Sequence, residues 1–127
     1  MTMNHTYDPD PSRWDDRFEE HVMSGILELL ILKVLSERDC LGYELYREVG
    51  ERTEGTFGKR SAFYAALYRL QDRELILFEA QSANQQTNIR YQILDEGRAY
   101  LESAMQRLEH ILEVLPVFFR QEESPET

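Results

Sequence analysis

The segment that most constrains the fold is Lys59 to Ile76, KRSAFYAALYRLQDRELI. Phe63, Leu67 and Leu70 recur at helical spacing with Ala66 on the same side, so this helix must lay one face into a core. Its other side carries Lys59, Arg60, Ser61, Tyr64, Ala65, Tyr68 and Arg69. Cations and phenol hydroxyls on an anchored helix suit a phosphate backbone and base edges. The same residues also suit a merely solvated face.

At 127 residues with 42% apolar content, the chain is one domain, or one domain with appendages. Cys40 is the only cysteine, which excludes an internal disulfide and a cysteine-based zinc site; it reads as a small core residue. The first residues are polar and acidic, unlike a secretory signal. The longest apolar run, Ile26 to Leu35, is interrupted by Glu28 and Lys33 and is too short for a bilayer. The expected location is therefore cytoplasmic, with no membrane partner. Net charge is −10, which by itself disfavours nucleic acid. The charge is divided unevenly, however: −5 over residues 1–41, −1 over 42–98 and −4 over 99–127. The basic helix lies in the nearly neutral middle, and screening limits the reach of the acidic ends to ~8 Å.

Along the chain, residues 1–10 lack a period. Asp10-Pro11 has the form of an N-cap followed by proline, and Trp14, Phe18 and Val22 then mark a short amphipathic helix. Ser24 is expected to cap a second helix, apolar nearly all round from Ile26 to Leu35, which implies cover on most sides. Asp39 to Gly42 reads as a turn. Tyr43, Leu45, Tyr46 and Val49 mark a helix to about Thr53, and Glu54 to Gly58 a loop. After the basic helix, Leu75 to Gln81 and Ile89 to Ile93 read as two strands joined by the polar loop SANQQTN, Ser82 to Asn88. A last helix spans about Asp95 to Leu115, its Leu101, Met105, Leu108, Leu112 and Leu115 forming a heptad seam. Pro116 is expected to end or kink it. Val117, Phe118 and Phe119 need cover, and an acidic tail follows.

Three helices and a two-stranded hairpin form a winged helix-turn-helix order: mainly α with a small β-hairpin, an N-terminal helix and a long C-terminal dimerisation helix. The expected parts are an extension at 1–23, the winged domain at 24–94, the dimerisation helix at 95–120 and the tail at 121–127. On the segments SGILELLILKVL, LGYELYREV, SAFYAALYRLQDRELI and RYQILDEGRAYL, the chain resembles the PadR family of bacterial transcriptional regulators. Gly42-Tyr43-Glu44, Tyr64 with Leu67-Tyr68-Arg69-Leu70, and Tyr91 to Gly97-Arg98 carry the resemblance most specifically. It implies a dimeric DNA-binding repressor, non-enzymatic, joined through its terminal helices; some relatives bind a small aromatic effector between the subunits. Where the family usually has Gly-Thr, this chain has Ser61-Ala62; it has Ala65 for proline, Glu74 for glycine and Leu94 for threonine, leaving Asp95 as the expected cap.

The resulting expectations are double-stranded DNA contacts from Lys59, Arg60, Ser61, Ala62, Tyr64, Tyr68 and Arg69, with Arg90 at the wing. The expected homodimer interface uses Trp14, Phe18, Ile26, Leu30, Leu101, Met105, Leu108, Leu112 and Leu115. No metal or cofactor is expected: His5, His21 and His110 lack ligand spacing, and Gly55 to Lys59 has too few residues between its glycines for a phosphate loop. Tyr43, Tyr46 and Phe78 read as core. Two competing readings are a winged-helix protein-interaction module that has lost DNA binding and a ligand sensor with another output.

Overall fold

The structure is a computed structural model that describes residues 11–83 and 86–121, with side chains at 21–80 and 89–121. Four helices surround a small antiparallel sheet in the order α1 (Pro11–Glu37), β1 (Cys40–Leu41), α2 (Gly42–Arg52), α3 (Arg60–Asp72), β2 (Ile76–Ala83), β3 (Gln86–Ile93) and α4 (Asp95–Arg120). Leu27, Ile31, Leu32, Val34 and Leu35 of α1 are buried against Leu45 and Val49 of α2 and Phe63, Ala66, Leu67 and Leu70 of α3. Cys40, Leu75, Ile76, Tyr91, Ile93 and Leu101 complete one core. Cys40 is fully buried and free, and burial pushes its thiol up.

Several local expectations are corrected. α1 is a single 27-residue helix that runs through the expected break at Val22 to Ser24, and Ser24 caps nothing there. Apolar packing of the second half outweighs the weak punctuation of Ser24-Gly25. Trp14 and Phe18 lie on this helix, but their side chains are outside those described. Instead of a simple turn, Cys40–Leu41 pairs with Tyr91 and Arg90, so the sheet has three strands in the order β1-β3-β2. The polar Ser82 to Asn88 segment is mostly strand: β2 and β3 pair as far as Ala83 opposite Gln86. Leu94, in extended backbone, is the N-cap of α4, and Asp95 is its first residue. α4 also continues through Pro116 to Arg120. Tyr43 and Phe78 are exposed rather than core. Among the described residues, no helix is long and apolar enough to cross a membrane.

Backbone geometry sets the helix ends. At the end of α3, Leu75 N–H donates to Leu70 O (3.0 Å) and Glu74 N–H to Gln71 O (2.9 Å), with Glu74 at φ 59°. α2 ends in the same way: Gly55 N–H donates to Gly50 O and Glu54 N–H to Glu51 O, with Glu54 at φ 53°. Both are the paired-bond helix stop that places one residue in the left-handed region. α2 opens with Glu44 Oε1 accepting from Leu41 N–H at 2.9 Å, which satisfies an otherwise orphaned donor.

Candidate nucleic-acid interface

α3 is held by four fully or nearly fully buried side chains, Phe63, Ala66, Leu67 and Leu70, while Arg60, Ser61, Ala65, Tyr68 and Asp72 are exposed on its far side. Tyr68 is the most open aromatic there, at 69%. Lys59 precedes the helix in extended backbone, and its carbonyl accepts the first-turn bond from Phe63 N–H at 3.0 Å. The amides of Arg60, Ser61 and Ala62 therefore have no intrahelical acceptor. Ala62 is half-buried.

The loop before α3 is shaped by two side chains of α2 and its end. Thr53 Oγ1 donates to Val49 O (2.8 Å) and accepts from Phe57 N–H (3.2 Å). Tyr46 Oη donates to Gly58 O at 2.6 Å. The Tyr46 ring packs edge-on against Phe63 (5.2 Å between centroids) and stacks towards Tyr64 (6.5 Å). The Arg60 guanidinium lies over that same ring, 4.9 Å from its centroid. Tyr64 is half-buried and meets Phe63 edge-on at 5.0 Å. On the neighbouring sheet, burial pushes the Tyr91 phenol up, and the Tyr64 and Tyr68 phenols add to the shift. The Tyr91 ring and the Tyr64 hydroxyl both lie beside Gly42 at the start of α2.

Arg69 is not on this surface. It follows Arg60 by nine residues, two and a half turns, and so points to the opposite side. Its Nε donates to Glu28 Oε2 at 2.5 Å and its Nη2 to Ser24 O at 3.2 Å. Arg73 Nη1 donates to the other Glu28 oxygen at 2.9 Å, and its guanidinium lies 4.6 Å over the Tyr100 ring of α4. Tyr100 and then Glu28 hold the Arg73 cation, raising its pKa. Glu28 is only 6% exposed. This three-element ion cluster was missed by sequence reasoning, although a carboxylate inside an otherwise apolar helix was its signal: such a group is rarely buried unless paired.

Arg90 sits in the middle strand, opposite Leu41 on one side and Glu79 on the other, four residues from the tip pair. It is half-buried and belongs to the base of the wing.

The expected interface residues with described side chains separate into three groups. Leu101 is buried in the chain's own core, where Gly97 brings α4 against the sheet. Ile26, Leu30 and Leu108 are half-buried. Met105, Leu112 and Leu115 are exposed, Leu112 at 59%. Val22, Ile111, Val114, Val117, Phe118 and Phe119 are exposed as well, and the last two rings meet edge-on at 5.4 Å. Val114 was not anticipated; it lies outside the heptad seam.

Residues 31–103 match the model of the transcriptional regulator PadR-like family. The chain is similar to protein X of Lysinibacillus sphaericus, 28% identical over 99 residues, 76% of this chain and 91% of that one. It is similar in fold to a transcriptional regulator from Clostridium thermocellum (TM-score 0.71, 25% identity, covering 77% of this chain and 97% of that one). It also resembles a PadR family transcription regulator from Clostridium difficile (TM-score 0.63, 29% identity, 73% and 97% covered). A PadR family regulator from Eggerthella lenta shares the fold (TM-score 0.72, 16% identity, 91% and 96% covered). A family match over more than half of the chain, spanning the anchored α3 and the hairpin beside it, makes this protein a member of the PadR-like family of transcriptional regulators.

Proposed function

We propose that the protein is a sequence-specific DNA-binding repressor that acts as a homodimer. The observation that carries this is the start of α3: Arg60, Ser61 and Tyr68 are exposed beside Tyr64 on a helix whose other face is locked into the core. In this reading α3 enters the major groove with Arg60 at a guanine edge, a contact worth ~1–3 kcal/mol of discrimination. Ser61, Tyr64 and Tyr68 hydroxyls and the first amides of α3 bond phosphate. Lys59 and Arg90 flank the site, whereas Arg69 is withdrawn by Glu28. Two such helices in a dimer read two half-sites about one DNA turn apart, ~34 Å. The exposed apolar side of α4 is the surface that supports pairing, and an apolar lining between subunits of Met105, Ile111 and Phe118 suits a small aromatic effector.

The test is a binding isotherm on the protein's own upstream DNA and on random DNA, for wild type, Arg60→Ala and Tyr64→Phe. Arg60→Ala is expected to lower the specific-to-random ratio, and Tyr64→Phe to weaken both DNAs alike. With few cations engaged and acidic termini, affinity should fall as salt rises with a slope of roughly 0.9 per phosphate neutralised. An unchanged ratio in Arg60→Ala removes Arg60 as a reader of sequence.

One observation favours the competing reading of an interaction module without DNA. Arg69 and Arg73 are bound to Glu28, and Arg52 to Glu37 and Glu48, so the middle of the chain offers less positive field than its sequence count. Absence of specific binding by the wild type at low salt would select that reading.

A further inference from the structure

We infer that Tyr46 of α2 is a positioning residue for sequence readout, fixing Arg60 and the backbone ahead of it. The inference rests on the DNA-binding reading above and names a determinant of specificity outside the groove-facing helix. Tyr46 makes two contacts at the entrance to α3. Its hydroxyl donates to the carbonyl of Gly58, two residues before the helix, at 2.6 Å. Its ring is the platform under the Arg60 guanidinium, 4.9 Å away. The platform is itself fixed: Phe63, fully buried, meets it edge-on at 5.2 Å, and Tyr64 stacks towards it with planes 21° apart.

An arginine at the first position of a helix is otherwise a long, freely rotating chain, and ordering it opposes binding. Stacking on an aromatic face orients the planar guanidinium while leaving its edge donors available. A bidentate contact to guanine needs that edge in one plane and one direction. Tyr46 therefore lowers the cost of ordering Arg60 specifically where a guanine edge is read. The Gly58 bond holds the backbone from which Arg60 departs. A tyrosine that served only to fill space would affect binding to all DNA equally.

The experiment measures the ratio of affinities for selected and random DNA in wild type, Tyr46→Leu, Tyr46→Phe, Arg60→Ala and the Arg60→Ala/Tyr46→Leu double variant. Tyr46→Leu should lower the ratio about threefold to tenfold, the cost of ordering one rotamer-rich side chain. Tyr46→Phe, which keeps the ring, should lower it less. In the Arg60→Ala background, Tyr46→Leu should not lower the ratio further. A second readout needs no DNA: the Arg60 Nε–H proton resonance of the full chain should be displaced upfield by the Tyr46 ring in wild type and Tyr46→Phe. That reading stands even if Tyr46→Leu does not fold. An undisplaced Arg60 resonance in wild type overturns the inference. So does a Tyr46→Leu ratio equal to wild type, or an equal fall with and without Arg60. A wild type that shows no preference for any DNA sequence overturns the DNA-binding reading itself, a different result from a wild-type preference that Tyr46 does not influence.

Discussion

At Gly97 the first turn of α4 passes over the start of β2 with no room for a side chain. A Cβ there would lie 2.2 Å from Leu75 O and 2.8 Å from Ile93 Cγ1. The neighbour is backbone, and Leu75 O already accepts from Leu94 N–H at 3.0 Å, so it cannot retreat without breaking the join between α4 and the sheet. Gly97→Ala should therefore cost at the upper end of the ~1–3 kcal/mol of overpacking, seen as a lower urea midpoint with an unchanged slope. Glu74 presents the opposite case. It stands at φ 59°, where a side chain costs ~1–2 kcal/mol, partly offset by the extra chain entropy a glycine would lose on folding. Glu74→Gly should raise stability by roughly 0.5–1 kcal/mol, and Glu74→Val should lower it; a melting temperature that falls for both would show that the turn is not the strained element.

At the scale of elements, Glu28 joins α1 to α3, and through Arg73 it reaches Tyr100 of α4. The two sides of the cluster are unequal, because the carboxylate side chain is 8% exposed and the arginines 41% and 43%. Removing both arginines strands a buried anion, at ~3–5 kcal/mol. Replacing Glu28 with leucine leaves two cations that can turn to water. Denaturant unfolding should rank Arg69→Ala/Arg73→Ala as clearly less stable than Glu28→Leu; the reverse order would mean that Glu28 is hydrated. The buried stripe of α3 was legible in the sequence because its periodic apolar residues state which side is inside, and the last helix, from Asp95, was legible from its heptad spacing, although Met105, Leu112 and Leu115 of that seam are exposed. The two-residue β1 was not, since two residues have no period. The last two residues of β2 and the first three of β3 were not either, because backbone pairing between polar residues leaves no mark in hydropathy. Pro116 was read as ending or kinking the helix, and the first is overturned: it removes one donor, yet α4 continues to Arg120, with Gln121 N–H bonded to Val117 O at 3.1 Å. Arg69 was grouped with Arg60 by proximity in sequence, although nine residues place them on opposite sides of a helix. Tyr46 read as core, which hid its contact with Arg60.

For the whole molecule, the unevenness of the surface matters most. Leu112, Leu115, Val117, Phe118 and Phe119 are each at least 43% exposed along one helix, a concentration of apolar surface that soluble monomers rarely leave uncovered. The proposed homodimer covers it. Leu112→Glu changes a residue with little part in the protomer's own packing, so it should leave the fold intact and turn a dimer into a monomer in sedimentation at micromolar concentration. A variant that remains dimeric would move the interface away from the seam of α4.

The unbroken course of α1 has a mechanical consequence. Among the described side chains, its buried positions begin at Leu27, while the helix itself begins at Pro11. From Pro11 to Leu27 it runs as one continuous helix, sixteen steps of ~1.5 Å or ~24 Å, into that grip. With no break along it, a sideways load on α1 becomes torque at the clamp, and Glu28, bonded to Arg69 and Arg73, sits at the first turn of the clamp. A push on α1 is therefore delivered to α3 through the pairs that Glu28 makes with Arg69 and Arg73.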